Sequence, residues 1–521
     1  MGQRFEVLIK DLTKKCPSGL FDFEDTSELE PLDSIIGQKR AVEAINFGLN
    51  MKGSEYNIFV TGLEGTGKST IIKKLLLEHA QNQATPEDLC LVNNFEDSYC
   101  PVVVEMPAGS AVYFSQSMIQ VIEVLKTQIF KFFGTTSFKE DQAIINKEYL
   151  NRKKELFQGL EDFAQTKGLL IVKIENDYQV VPVSDGQPMP KEEYLALDEA
   201  LQKEIDTKAL PVEERLNEFL LETNKLGDEM KAILKKLVAS KTEQLISEQI
   251  DPVRYYFRDC KGIQTYLKKV KEDIIDNIAM FLGVKGPEDN EDKKILEMTG
   301  FFVKKYQVNV LVDRRREKGA PVVFEPNPSF QNLFGKIEKK PVMGEFATDF
   351  TMVQSGSLLK ANKGYLVLNI ESLLMNPRVW ESLKRTLQDS MLRIEDMPDQ
   401  ADYGMPSLKP APIPLKVKVI LVGGYEPFRL LQSADSRFNK IFKVRADFDY
   451  EARLTEDNVY NYARFIAQVC KKEDLLNFSA DGVWEVIEYG NRMVSDRQKL
   501  SLRFGQILGI LKEADYWAKK D

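Results

Sequence analysis

The sequence predicts an α/β fold: a parallel sheet flanked by helices, split by a large helical insertion that carries a β-hairpin, and followed by a helical C-terminal lid. Three observations predict it. A β-rich run, NIFVTG, leads through a glycine-rich loop into an amphipathic run, TIIKKLLLEHAQ. Two apolar runs bounded by turn residues, at Gly364 and at Leu415, read as buried strands of a parallel sheet, because strands covered on both faces need not alternate. From about Ser117 to Val284 the text turns long, charged and helix-periodic, interrupted by one alternating stretch.

Residues 1–33 are polar and loop-like. From Leu32, LDSIIGQKRAVEAINFGLNM reads as a capped helix, with Ile36, Ala41, Ala44, Ile45 and Leu49 at near-helical spacing, and it opens the first part of the core, 34–116. After the glycine loop and its helix, CLVNNF, VVVEMP and SAVYFS are short strand candidates. The insertion, 117–290, holds helical stretches around a hairpin with turns at Glu175–Asp177 and Asp185–Gly186. Heptad-like spacing from Val212 to Lys241 predicts an antiparallel helical arm, with a solvated helical hairpin serving only as a spacer as the alternative. GVKGPEDNEDKK is a polar linker. The second part of the core, 291–450, begins with the strand runs YQVNVLV and APVVFE, and 451–521 is helical to the end.

A chain of 521 residues predicts two to four domains. A net charge of −9 argues against a protein built mainly to coat nucleic acid, while leaving room for a local basic groove. The five cysteines, Cys16, Cys90, Cys100, Cys260 and Cys470, form no CxxC pair, so neither a zinc site nor a disulfide framework is indicated. The single histidine, His79, cannot build a His-rich metal site and reads as a late residue of the helix after the loop. No apolar run approaches the ~20 residues of a membrane span. The N-terminus is too polar for a secretory signal, and Glu6 stands where a myristoylation signal has Ser or Thr, so the expected location is the cytoplasm.

The loop Gly62-Leu63-Glu64-Gly65-Thr66-Gly67-Lys68-Ser69 satisfies G-x-x-x-x-G-K-[ST] in full, with Thr70 continuing into the helix. Glycines let the backbone curl so that its N–H groups point at phosphate oxygens, and the helix adds the positive end of its dipole. Lys68 supplies a cation for the β- and γ-phosphates, and Ser69 a hydroxyl for Mg²⁺. A strand before and a helix after make the signal specific. Such a site also needs an acid at a neighbouring strand end to hold Mg²⁺ and polarise water. After Tyr365-Leu366-Val367-Leu368 the expected aspartate position is Asn369, a neutral oxygen ligand, and Glu371 two residues on can recover part of the role.

With these residues in place, the text resembles the Lon-related AAA+ proteases of the branch with a helical insertion in the ATPase module, over nearly the whole chain. Asp33-Ser34-Ile35-Ile36-Gly37-Gln38 looks like the adenine-side entry motif, so Ile36 and Gly37 join the expected nucleotide contacts. Leu91-Val92-Asn93-Asn94-Phe95-Glu96-Asp97 and Met106-Pro107-Ala108-Gly109 are similar to the strand after the P-loop helix. Gly319 to Val323, Asn332 to Gly335, Asp349 to Thr351 and Gly356 to Tyr365 follow in the family's order, and Phe442 to Phe448 and Leu500 to Phe504 complete the series.

The resemblance implies a homo-oligomeric, hexameric ring with ATP at subunit interfaces. Arg503 sits at the sensor-2 position of the lid, and Arg437 is the candidate arginine finger acting in trans, with Asn439 where the family often has Arg. Gly423 and Gly424 stand where a polar sensor-1 residue would serve. The segment from Asn332 to Phe350 is a pore-loop candidate, with Phe334 or Phe346 gripping an unfolded or misfolded polypeptide. Family members carry a Ser–Lys protease domain after the lid, and the text here ends at Ala518-Lys519-Lys520-Asp521, which favours a fragment of a longer protease over a stand-alone ATPase. Two other readings stay open: a remodeller of another target such as a nucleic-acid complex, and a nucleotide-gated scaffold, the latter motivated by Asn369.

Overall fold

The computed structural model describes residues 20–32, 35–174, 177–184, 186–278, 303–342, 345–395 and 408–520. The Asp33–Ser34 start of the first expected helix, the tip of the hairpin at Glu175, and the GVKGPEDNEDKK linker lie outside them. The chain forms two compact units, Met1–Ser115 with Gln307–Asp521, and Gln116–Tyr306.

In the first unit, α1 (Lys39–Asn50) precedes β1 (Ile58–Thr61), α2 (Lys68–Gln81), β2 (Asp88–Val92) and β3 (Val102–Met106). Beyond the insertion come β4 (Val308–Val312), β5 (Val322–Glu325), β6 (Tyr365–Asn369), β7 (Lys418–Gly423) and β8 (Val444–Asp447). Three lid helices close the chain: α3 (Glu456–Glu473), α4 (Ala480–Val494) and α5 (Phe504–Ala518).

The main sheet has the order β8-β1-β7-β6-β5 with every pairing parallel. Its inner strands β1, β6 and β7 carry apolar runs because both faces are covered, while the edge strand β8 alternates, with Arg445 exposed. Phe59, Leu366, Leu368, Val419 and Leu421 enter one core, while their neighbours Ile58, Val60, Val367 and Ile420 enter the other with Ile72 and Leu76 of α2. Ile58, Phe59 and Val60 have no exposed surface, and each side chain so buried contributes roughly 1.5–3 kcal/mol of hydrophobic stabilisation. β1 therefore lies inside the sheet, and the loop after it opens at the carboxyl edge beside β7, where parallel sheets place their ligands.

The strand after α2 takes a different position from the main sheet. β2 pairs antiparallel with β3 and β4 in a separate three-stranded sheet. Buried Asp88 fastens it, accepting the N–H of Ala111 at 2.8 Å and of Arg314 at 2.9 Å. Buried Arg314 in turn donates to the carbonyls of Lys360 and Asn362. SAVYFS, expected as a strand, instead begins the helix Ala111–Gly134, because its apolar residues continue at helical spacing into Met118, Val121, Ile122 and Leu125, all buried. The first expected helix starts later than read, at Lys39: Gly37 has φ of +68° and ends any helical path through residues 35–38.

The lid has its own core, in which Tyr462, Ile466, Ile487, Leu502, Ile507 and Leu511 are buried. Phe23 of the N-terminal segment joins that core, and Thr26 N–H donates to the Phe478 carbonyl at 3.0 Å. The polar opening text hides this role, since Phe23 and the partly buried Leu20, Phe21, Leu29 and Leu32 that pack beside it follow no sustained helical or strand period.

The second unit packs the helix Thr136–Thr166 and the 58-residue helix Glu199–Tyr256, roughly 87 Å long at 1.5 Å per residue, beside the hairpin Leu169–Ile174 and Asp177–Ser184. Leu160, Leu169, Val212 and Phe219 are buried together, and Phe157, Tyr178 and Phe219 form an aromatic trio with centroids 5.5–5.8 Å apart. Among the described residues no helix is long and apolar enough to cross a membrane.

Candidate nucleotide site

The loop between β1 and α2 is shaped by three glycines. Gly65 and Gly67 have φ of +78° and +79°, which an L side chain rarely adopts. A Cβ on Gly62 would stand 2.8 Å from that of Phe448. Gly67 caps α2 without a side-chain acceptor, so the first N–H groups of α2 have no partner from the cap. Thr66 is buried and donates from Oγ1 to the Leu63 carbonyl at 2.8 Å, bracing the curl from beneath. Lys68 folds back over the loop and donates to the carbonyls of Gly62 and Leu63, each at 2.7 Å. Burial pushes its ammonium down from the ordinary lysine range, against the pull of Glu371 and Glu64.

A cavity of about 780 Å³ lies over this loop, lined by Gly62 through Thr70, by the ends of β6 and β7, and by the lid. It thus includes the expected Glu64, Ser69 and Thr70, and both Asn369 and Glu371. Asn369 caps the short helix Ile370–Leu374, its side-chain oxygen accepting the Ser372 N–H at 2.8 Å. Glu371 reaches across to β7, where Oε1 accepts the Gly424 N–H at 2.7 Å. That neighbour explains the glycines at the end of β7. A Cβ on Gly423 would lie 2.1 Å from Ile370 Cγ2 and 2.9 Å from Glu371 Oε1, so no polar side chain fits there beside this glutamate.

The lid wall comes from Phe465, Val469 and Leu508, which were not singled out in the sequence, and from Phe504 at the end of the Leu500–Phe504 motif, with Gln468 and Lys472 beside them. Their signal is a pair of i, i+4 repeats on two helices, which also describes ordinary core packing. Lid and loop touch directly, as Gly505 N–H donates to the Gly65 carbonyl at 3.0 Å.

Four expected contacts do not line the cavity. Ile36 is buried in the lid core, and the space beside Gly37 is filled by Leu502. Arg503 lies over the Tyr450 ring at 5.8 Å, with its Nε buried and without a hydrogen-bond partner. Arg437 is half exposed, 3.6 Å from Glu381. The pore-loop candidate Phe334 is 2% exposed and stacks on Phe330, which makes it a core residue. The Phe346 side chain lies outside the described residues, and its backbone belongs to the hairpin Lys340–Val342 and Glu345–Ala347.

The donor set fits a nucleoside triphosphate with Mg²⁺. The loop supplies uncapped amides and a lysine. At the strand ends and the loop the wall supplies the Ser69 hydroxyl, the Asn369 amide oxygen and the Glu371 carboxylate, with Glu64 and Glu473 also on the lining, which suits an ion that keeps waters and shares phosphate oxygens. Among the described residues there is no cluster of three or more side chains able to cage a metal alone.

Three stretches match models of known families. Residues 318–449 match the LonB-like AAA domain, and residues 477–521 match the archaeal LonB AAA+ ATPase lid domain. The chain belongs to the Lon-related AAA+ family. Residues 88–121 of this Lon-related chain match the Lon-like LonC helical domain. It is similar to the archaeal Lon protease of Archaeoglobus fulgidus, 24% identical over 241 residues, which are 44% of this chain and 37% of that protein. It is also similar to the archaeal Lon protease of Thermoplasma acidophilum, 24% identical over 169 residues, 31% of this chain and 24% of that protein. The matched stretches span well under half the length of these relatives.

Proposed function

We propose that the chain binds ATP in the cavity over the Gly62–Ser69 loop and hydrolyses it, as the unfolding and translocating ATPase of a Lon-related machine that delivers protein substrates to a Lon-type protease domain. The observation that carries this reading is one cavity with three unlike walls: amide donors with Lys68, the Glu371 carboxylate, and an apolar lid face.

Each wall has a task. The curled loop and the amino end of α2 favour the phosphates. Lys68 leaves the Gly62 and Leu63 carbonyls for the β- and γ-phosphates and regains a full charge partner there. Mg²⁺, when bound, neutralises phosphate charge, and Ser69 with Asn369 would hold it. Glu371 orients the attacking water once it swings off the Gly424 amide. Phe465, Val469, Phe504 and Leu508 give the purine ring an apolar face. Arg503, one residue before the lining Phe504, senses the γ-phosphate by moving off Tyr450. Arg437, outside the cavity and half exposed, suits a site completed by the next copy of this chain in a hexameric ring. The Gln116–Tyr306 unit, whose arm exposes Ile144, Leu150 and Leu221, engages the polypeptide.

Steady-state phosphate release by the wild-type chain and by Lys68→Ala tests the reading. The variant is expected to lose about a hundredfold or more, the scale on which preorganised charge acts in such sites. Equal rates, with ATP binding demonstrated for both, would remove the motor function.

A further inference from the structure

The opposite edge of the same sheet carries a second cavity, of about 540 Å³, within the 300–1,000 Å³ range of small-molecule sites. It lies where β6 and β7 begin, at Tyr365 and Lys418, whereas the nucleotide cavity lies where they end. Four lysines line it, Lys52, Lys363, Lys416 and Lys418, and among the described residues no carboxylate does, in a chain whose net charge is −9. Its inner wall is apolar, with Leu49, Leu387 and Leu415.

The cradle is held rigidly. Asn362 is buried, donates to the Pro414 carbonyl at 3.0 Å and accepts the Lys416 N–H at 2.8 Å. Lys363, at φ of +60°, donates its N–H to the Lys416 carbonyl at 2.6 Å. Lys418 reaches down the cavity floor and donates to the carbonyls of Met51, Gly53 and Tyr56, at 2.9, 3.3 and 3.0 Å, tying the end of α1 to β7. Three segments far apart in sequence are thereby stitched around one space. Of the four cations, Lys363 is paired with Glu87 at 2.6 Å, and Lys418 is spent on carbonyls with Glu55 nearby. Lys52 and Lys416 are exposed at the rim and have no ion-pair or side-chain hydrogen-bond partner among the described residues. Two uncommitted cations over an apolar pocket match a dianionic head on an apolar body.

We propose that this cavity binds a small phosphate ester, with Lys52 and Lys416 on the phosphate and the leucine wall on the organic part. The probe is 1-naphthyl phosphate, titrated calorimetrically into the full chain carrying Lys68→Ala, so that the P-loop does not compete. Binding is expected to persist in that background. It should weaken at least about tenfold on adding Lys52→Glu with Lys416→Glu, two exposed positions whose change should leave the thermal midpoint in place. Naphthol, without the phosphate, should bind at least about tenfold more weakly. Unchanged binding in the charge-reversed chain, or equal binding of naphthol, would overturn the proposal. So would binding to the wild type that disappears with Lys68→Ala alone, since the probe then occupies the nucleotide cavity. A single-stranded oligonucleotide that binds through Lys52 and Lys416 while naphthyl phosphate does not would overturn it in favour of a nucleic-acid contact. Loss of ATP hydrolysis in Lys68→Ala with retained probe binding separates this site from the proposed ATPase.

Discussion

The two ends of the β6–β7 pair are built on opposite plans. At the carboxyl ends the chain offers backbone: three glycines, uncapped amides and one lysine, roofed by the lid. At the amino ends it offers side chains, four lysines from three separated segments over an apolar wall. The difference follows from what each would recognise phosphate with. Successive N–H groups can converge only if successive residues curl, so the first plan must be contiguous. Side chains can converge from anywhere the fold brings together, so the second plan leaves no local pattern. A second contrast lies in commitment: Lys68 and Glu371 are both parked on backbone groups from which they can be released, whereas Asn362 and Lys418 serve as permanent stitching.

The largest effect should come from releasing the parked carboxylate of its charge. Glu371→Gln keeps the shape and is expected to cut kcat by about 10²–10³ while ATP affinity stays within about threefold. A parallel loss of affinity would mean that Glu371 holds the metal rather than the water. Arg437→Ala should slow phosphate release by about a hundredfold, and mixing it with Lys68→Ala chains should recover part of the activity, because each supplies what the other lacks. No recovery in mixed assemblies would remove Arg437 from a neighbour's site. Gly423→Ala places a methyl against Ile370 and Glu371 and should destabilise the chain by about 1–3 kcal/mol in urea unfolding, with impaired hydrolysis. Unaltered stability would show that the Glu371 side of the cavity is loose.

The smallest effect belongs to the other end. Burial pushes Lys418 down to about 8 from its ordinary value of 10.5. Between those values the unfolded chain binds more protons at this residue than the folded one, so its contribution to stability rises with pH across that window and is flat below it. Lys418→Met removes the titration. Wild type should therefore gain stability relative to this variant as pH is raised from about 8 towards 10. An unchanged difference would mean that the three carbonyls fully compensate its burial.

Much of this was legible beforehand because it is local. The Gly62–Ser69 loop, the runs that became β6 and β7, the hairpin around residues 169–184 and the three lid helices all announce themselves by spacing within a short window. What was not legible depends on tertiary partners. Phe334, one of two pore-loop candidates in the sequence, is stacked in the core, and Ile36, expected beside the nucleotide, is buried among lid residues. The short run SAVYFS contains strand-like residues, yet the apolar positions after it continue the helix. Phe465 with Val469, and Phe504 with Leu508, face a ligand cavity by the same spacing that would face them to a core. The glycine at 423 makes sense only once Glu371 is seen beside it.

The most direct test is equilibrium titration of a fluorescent ATP analogue into the full chain with Mg²⁺ present, comparing wild type with Lys68→Ala. Saturable binding by the wild type, displaced by ATP and weakened at least about tenfold in the variant, is the expected result. Equal binding to both chains, or none to the wild type, would contradict a nucleotide site at this loop.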